Sequence, residues 1–203
     1  MRITILGASG QTGRHLLEQA IAEGHAITAL VRDAAKLATD QPNLTVIVGD
    51  ATNQEDVAKA VAHADVVVSV LGGASTTLMT KALQAVVSAC KAVGVPRVIL
   101  MSSFMVRRER LGVGTRLLTG LAMAKYISDK AQSEALLRSS GLQWTVVYAG
   151  RLANGPRTGK AREARPDETV TLKNSVSRAD VAAWLLVEAV SGHHVRSDVL
   201  ITS

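Results

Sequence analysis

Gly7-Ala8-Ser9-Gly10-Gln11-Thr12-Gly13 stands between a short β-branched run, Arg2–Leu6, and a stretch of helical period. Glycines at this spacing are suited to gripping a pyrophosphate. Gly7 permits a tight turn, Gly10 lets backbone approach a phosphate, and Gly13 allows close packing of helix on strand. The helix that follows would turn its free N–H groups toward the anion. The GxxGxxG spacing is a variant of the dinucleotide fingerprint, in the strand–turn–helix context that the fingerprint needs. The competing reading is a plain structural turn.

A second apolar run ends at Val31 and is followed by Arg32, with Lys36 a helical turn further on. An acidic residue at this place would accept from a ribose 2′-hydroxyl, whereas an arginine pairs with a 2′-phosphate. Arg32 and Lys36 therefore favour NADP(H) over NAD(H). Asp33 would serve the hydroxyl if the strand ended one residue later, and Lys36 alone could be an ordinary surface lysine. Asp50, after a third run, can accept from an adenine amino group or cap the next helix. Leu71-Gly72-Gly73, after a fourth, offers a glycine-lined floor for the nicotinamide side, or simply a turn. Tyr126 and Lys130, four residues apart, share one face of a helix.

The elements that must position these residues alternate. Arg2–Leu6, Ala26–Val31, Leu44–Val48, Asp65–Leu71, Arg97–Met101, Trp144–Tyr148 and Asp198–Thr202 read as strands. Helices are expected over Gly13–Glu23, from a Thr52/Glu55 capping box to about Ala62, over Thr76–Val93, over about Ala124–Ser139, and from a Ser177/Asp180 cap to about Val190. Such alternation builds right-handed βαβ units, so the expected fold is α/β, a Rossmann-like doubly wound parallel sheet. Ligands of such sheets lie outside the carboxyl ends of the strands, which adds Ser102-Ser103 and Gly150–Leu152 to the residues of interest. The 203 residues suit a single domain over 1–203, its substrate region built from about 103–125 and 150–175.

Composition removes several function classes. At 47% hydrophobic and 20% charged, the chain can bury a core and is not disordered. Aromatics at 2% argue against a stacking platform for single-stranded nucleic acid. The lone Cys90 permits neither an internal disulfide nor a cysteine cluster, and the histidines lack metal-ligand spacing, so no metal is expected. No apolar run approaches the roughly 18 residues of a membrane span, and no signal-peptide core precedes the first strand. A cytoplasmic location is expected. The net charge of +6 gathers in Arg107-Arg108-Glu109-Arg110 with Arg116, and again from Arg151 to Arg165. Both stretches read as loops: a basic rim round a pocket for an anionic small molecule, or plain solvated charge, with a nucleic-acid surface less favoured.

Gly7–Gly13, Leu30-Val31-Arg32-Asp33, Val48-Gly49-Asp50, Ser75-Thr76-Thr77 and Leu137-Arg138-Ser139-Ser140-Gly141-Leu142 together resemble the atypical short-chain dehydrogenase/reductase group. Within it the chain is similar, from residue 1 to about 160, to the biliverdin-IXβ reductase/flavin reductase branch, which is related to NmrA-like proteins. The resemblance implies an NADPH-dependent reductase that passes hydride to a flavin, tetrapyrrole, quinone or similar planar or anionic acceptor. By position it implies that Ser9, Gly10, Gln11, Thr12, Gly13, Arg32, Lys36, Asp50, Ala51, Leu71, Gly72, Met79, Ser102, Arg151 and Leu152 contact the cofactor or line the site. Ser103 matches the active-site serine, or else its hydroxyl serves the turn. In the wider superfamily a YxxxK tyrosine is the general acid, its pKa lowered by the lysine, so Ser103, Tyr126 and Lys130 would form a catalytic set. Alternatively Tyr126 packs the helix and Lys130 faces solvent.

Two departures bear on the acceptor. Arg151 stands where the flavin reductase branch has a histidine; an arginine stays charged and cannot donate a proton, though it can grip a phosphate or propionate. The segment after Ser103 differs as well, carrying the arginine cluster. Two other functions fit the same residues. One is an NmrA-like redox sensor that binds NADP(H) without catalysis and meets a protein partner through residues 107–116. The other is a carbonyl reductase or epimerase-like enzyme with Tyr126 as its acid.

Overall fold

A computed structural model describes residues 1–37, 41–73 and 77–203, apart from the side chains of Leu121 and Ala122. Ser75 and Thr76, part of the resemblance above and of the expected start of a helix, lie outside the described residues. The strands expected from apolar runs are present: β1 (Arg2–Leu6), β2 (Ala26–Val31), β3 (Leu44–Val48), β4 (Val66–Ser69), β5 (Arg97–Ser103) and β6 (Gln143–Ala149). Three short strands follow that the sequence pattern does not announce, β7 (Arg151–Ala153), β8 (Arg162–Glu163) and β9 (Ser175–Ser177), and β10 (Ser197–Thr202) closes the chain. The main sheet runs in the order β3-β2-β1-β4-β5-β6-β10-β8, and β7 pairs with β9 in a separate ribbon. Every pairing in the main sheet is parallel except that of β8 on β10. The strand order reverses between β1 and β4, which opens the crevice where doubly wound sheets bind ligands.

Both faces of the sheet are covered. Ile3, Ile5, Val66, Val68, Ile99 and Val147 point to one side and join the apolar faces of α1 (Gln11–Ala22) and α6 (Arg178–Ser191). Leu6, Val67, Val98, Leu100, Val146 and Tyr148 point to the other, against α2 (Gln54–Val61), α3 (Leu78–Val93) and α5 (Ala124–Arg138). Strands buried on both faces need no polar alternation, which is why β4 reads as a continuous Val-Val-Val run.

Two local expectations are corrected. Asn53, not Thr52, is the N-cap of α2: its side chain accepts the amides of Glu55 and Asp56 at 2.9 and 3.2 Å. Thr52 instead turns its hydroxyl onto Asp50. The segment after Ser103 is not a loop but two 3-10 turns, Phe104–Val106 and Arg108–Arg110, followed by a further helix, α4 (Val113–Ala122). Its exposed Val113, Leu117 and Leu118 and buried Thr115 and Thr119 give no inward apolar stripe for a sequence pattern to detect.

Candidate cofactor cleft and the adjoining network

The carboxyl ends of β1 to β4 converge on a cleft lined by Gly7, Ser9, Gly10, Arg32, Asp50, Ala51, Leu71, Gly72 and Leu78. Gly7 sits at φ +90°, a conformation that favours glycine. A Cβ on Gly13 would lie 2.0 Å from the Gly7 carbonyl oxygen, so the glycines lock the loop against the first turn of α1. Gly10 caps that helix without a side chain, and its first turn holds no acidic residue. The positive pole of the helix is therefore left facing the cleft, with no acidic residue in its own first turn. This cradle fits a dinucleotide pyrophosphate. Gln11 opens α1 in an exposed position, whereas Thr12 and Gly13 are buried in its first turn.

At the end of β2, Arg32 and Asp33 take different places. Arg32 lines the cleft. Asp33 is spent on the chain itself: its Oδ1 accepts the Ala35 amide at 3.0 Å, capping the 3-10 turn Ala34–Leu37. Lys36 stands apart from the cleft, on the wall of a neighbouring cavity with Arg14, Glu18 and Leu37. Arg14, which the sequence reading passed over, spans the two places. Its Nε donates to the Ser9 carbonyl at 3.2 Å and its Nη2 to the Lys36 carbonyl at 3.4 Å. Its position directly after the glycine loop is the signal that was available. Asp50 holds Thr52 through both amide (2.8 Å) and hydroxyl (2.7 Å); these bonds, with the Arg32 charge, keep its carboxyl below the usual range. Asp50 is thus a cleft-lining anion whose position is set by Thr52.

The other end of the site departs further from expectation. Ser103 is half-buried and its Oγ accepts the Met105 amide at 3.3 Å, so it caps the turn after β5. Ser102 does not face the cleft. It is buried, and its hydroxyl donates to Glu134 Oε1 at 2.5 Å. Glu134 is itself only 2% exposed, and its second oxygen accepts from the Tyr148 hydroxyl at 2.6 Å and from Arg138 at 3.2 Å. Sequence reading missed Glu134, although it lies four residues beyond Lys130 on the same helical face. Met79, expected beside the cofactor, is buried, and its amide and that of Thr80 donate to Asp129 at 2.9 and 3.0 Å. A carboxylate from α5 thereby caps α3, whose own Thr77 makes no side-chain cap.

Tyr126 and Lys130 do come together. The Lys130 ammonium lies 5.5 Å from the centre of the Tyr126 ring. The solvent-facing alternative for Lys130 does not hold: it is 4% exposed. Burial pushes its pKa down to about 8, against the upward pull of Glu134 and Asp129. The expected lowering of the tyrosine is reversed, because burial raises the Tyr126 phenol above its ordinary value. A proton at neutral pH sits more easily on Lys130 than it leaves Tyr126.

The basic rim is also corrected. Arg107 pairs with Glu109 and reaches Asp198, Arg108 donates to the Arg116 carbonyl, and Arg110 grips the carbonyls of Arg165 and Glu168. Arg162 forks onto Glu168 at 2.8 and 2.9 Å. Arg110 thereby staples residues 107–110 to 162–168 and Arg162 braces the second segment from within, because a guanidinium carries several donors in a planar fork. Arg151 is exposed with its Nε on the Leu172 carbonyl at 2.8 Å, and Leu152 packs on the core beside β9. Neither is among the residues lining the cleft. Among the described residues no group of three or more His, Cys, Asp or Glu side chains could hold a metal, and no helix is long and apolar enough to cross a membrane.

Comparison with known proteins places this geometry in a wider set. Residues 7–191 match the family described as NAD(P)H-binding. An uncharacterized chloroplastic protein of Arabidopsis thaliana is 30% identical over 93% of this chain and 71% of its own length. An isoflavone reductase homolog of Zea mays is 28% identical over 93% of this chain, which spans 64% of that relative. Among solved structures, a short-chain dehydrogenase/reductase of Veillonella parvula in complex with NADP superposes with a TM-score of 0.87 at 23% identity, covering all of this chain and 94% of that one. ChuY of Escherichia coli O157:H7, described as an anaerobillin reductase, superposes with a TM-score of 0.82 at 28% identity, covering 99% and 96%.

Proposed function

The chain belongs to the NAD(P)H-binding family, and from that premise we propose that it is an NADPH-dependent reductase whose acceptor is a conjugated molecule such as a tetrapyrrole, flavin or quinone. The observation that carries the choice of NADPH is the division of labour after β2: Arg32 lines the cleft while Asp33 is committed to Ala35. A guanidinium there pairs with a 2′-phosphate, while Asp33 turns one oxygen to the Ala35 amide and does not line the cleft. The name of ChuY, similar over nearly the whole chain, supports a tetrapyrrole among the acceptors.

In this reading the N-terminus of α1 and the Gly7–Gly13 loop hold the pyrophosphate, Arg32 the 2′-phosphate, and Asp50 the adenine edge. Leu71 and Gly72 form the floor toward the nicotinamide. When bound, NADPH supplies the hydride. Ser103, at the carboxyl end of β5, orients the nicotinamide carboxamide or the acceptor. Lys130 presents a buried positive charge to the electron-rich product and holds the proton that neutralises it. Catalysis rests mainly on alignment, since the cofactor carries the difficult chemistry.

The contact between Lys130 and Tyr126 favours a second reading, a carbonyl reductase in which the phenol donates the proton with the ammonium beside it. One experiment separates these: NADPH oxidation by the purified protein against FMN, biliverdin, quinones and small aldehydes, with NADH in parallel. Turnover of conjugated acceptors with NADPH supports the reductase, and turnover of aldehydes alone supports the carbonyl reading. Tight NADPH binding with no turnover points instead to a sensor.

A further inference from the structure

Glu134 belongs to no part of the nucleotide cleft, yet it is a buried carboxylate with both oxygens engaged. Its two oxygens accept from Ser102 on β5 at 2.5 Å, from Tyr148 on β6 at 2.6 Å and from Arg138 at 3.2 Å. Arg138 continues to Tyr148 at 2.6 Å and to Asp198 on β10 at 2.9 Å. The carboxylate on α5 therefore ties together two adjacent strands, β5 and β6, and Arg138 extends the link to β10. An unpaired buried carboxylate would cost several kcal/mol, and Arg138 is the cation paired with this one.

The same carboxylate lies one helical turn after Lys130. The other groups around that ammonium are the Tyr126 ring and Asp129, and Asp129 is already engaged with Met79 and Thr80 of α3. We propose that Glu134 is a positioning residue of the reductase. It holds Ser102, and with it the carboxyl end of β5 that presents Ser103, and it supplies the negative charge that faces Lys130. The inference rests on the reductase reading for its kinetic consequence, but not for its electrostatic one.

The physical reason is economy of distance. Ser103 can orient a ring only if the strand end beneath it does not shift, and displacements near 1 Å are enough to cost about a hundredfold in rate. A carboxylate bonded to the preceding residue removes that freedom. Its charge acts at the same time on a lysine that burial drives toward the neutral amine.

The test uses Glu134→Gln and Ser102→Ala in the NADP-loaded protein. The first keeps an acceptor for Ser102 but removes the charge; the second removes the strand contact and keeps the charge. Two readouts are taken: NADPH-dependent turnover of the best acceptor, and the titration of the Lys130 ammonium by nitrogen NMR of labelled lysine. Glu134→Gln is expected to lower the Lys130 midpoint by about one unit. It should also reduce kcat about tenfold or more, with NADPH affinity retained. Ser102→Ala should lower kcat and leave the Lys130 midpoint in place. An unchanged midpoint and unchanged kcat in Glu134→Gln would overturn the proposal. If Glu134→Gln does not fold, as judged by circular dichroism, Ser102→Ala decides: a wild-type kcat overturns it and a lowered kcat supports it. If the wild-type protein reduces no acceptor, the reductase reading fails separately, and the Lys130 midpoint alone decides for or against the role of Glu134.

Discussion

The Asp33 carboxylate accepts the Ala35 amide at 3.0 Å, so the acidic residue next to Arg32 caps a turn while Arg32 lines the cleft. In the proposed reading this arrangement favours the cofactor that carries the extra phosphate. Charge-assisted bonds of the kind Arg32 would make are worth roughly 1.5–3 kcal/mol.

Replacing Arg32 by Ala should weaken NADPH binding by about 10- to 100-fold while leaving NADH binding nearly unchanged. Fluorescence titration of both cofactors measures this. Equal losses for the two would mean that Arg32 does not meet the 2′-phosphate.

Gly13→Ala places a methyl group against the Gly7 carbonyl, where backbone on both sides prevents relief. Overpacking of this kind costs typically 1–3 kcal/mol. The urea midpoint should fall, and the surviving folded protein should bind NADPH poorly because the loop has shifted.

Lys130 gives a pH signature. In the unfolded chain a lysine titrates near 10.4, whereas burial pushes Lys130 down to about 8. Between these values the unfolded chain binds more protons, so the contribution of this group to stability rises with pH from 8 upward and is lost as pH falls through 8. Lys130→Met should therefore be more stable than wild type at pH 7, with the gain narrowing toward pH 10. Urea unfolding at several pH values tests the slope. In the wild type, turnover that needs the ammonium should decline above about pH 8.

Tyr126→Phe removes only the phenol oxygen and keeps the ring beside Lys130. Reduction of a conjugated acceptor should change little. Reduction of an aldehyde through a general acid should drop by about 10²–10⁴-fold, and steady-state rates with both substrates distinguish the cases.

A fifth variant probes the far end of the sheet. Arg97 and Glu188 form a buried pair there, and His194 adds a contact to Glu188 at 2.8 Å and another to Glu163 at 3.1 Å. Glu188→Ala leaves Arg97 buried without its counter-charge, a change that costs roughly 3–5 kcal/mol. Thermal unfolding should show a large loss of stability, with NADPH affinity in the folded protein retained.

Much of this molecule is legible from residue order. The Gly7–Gly13 loop announces itself because a tight turn, a helix start and a phosphate cradle are all local demands on neighbouring residues. The strand–helix alternation is equally plain, since β-branched runs and helical spacing follow from a few residues at a time. Helix α4 escaped notice because its buried face carries Thr115 and Thr119, and Asn53 displaced Thr52 as a cap by a single-residue shift of register.

What the sequence alone determined was the parallel sheet and the cofactor class, because these depend on short-range patterns. Only the tertiary structure decided that Ser102 turns inward to Glu134, that Lys130 is buried beside Tyr126, and that Arg110 is bonded to the backbone of Arg165 and Glu168. The first and the last of those outcomes join residues far apart in the chain, and the burial of Lys130 depends on what packs against its helix. No local pattern encodes that.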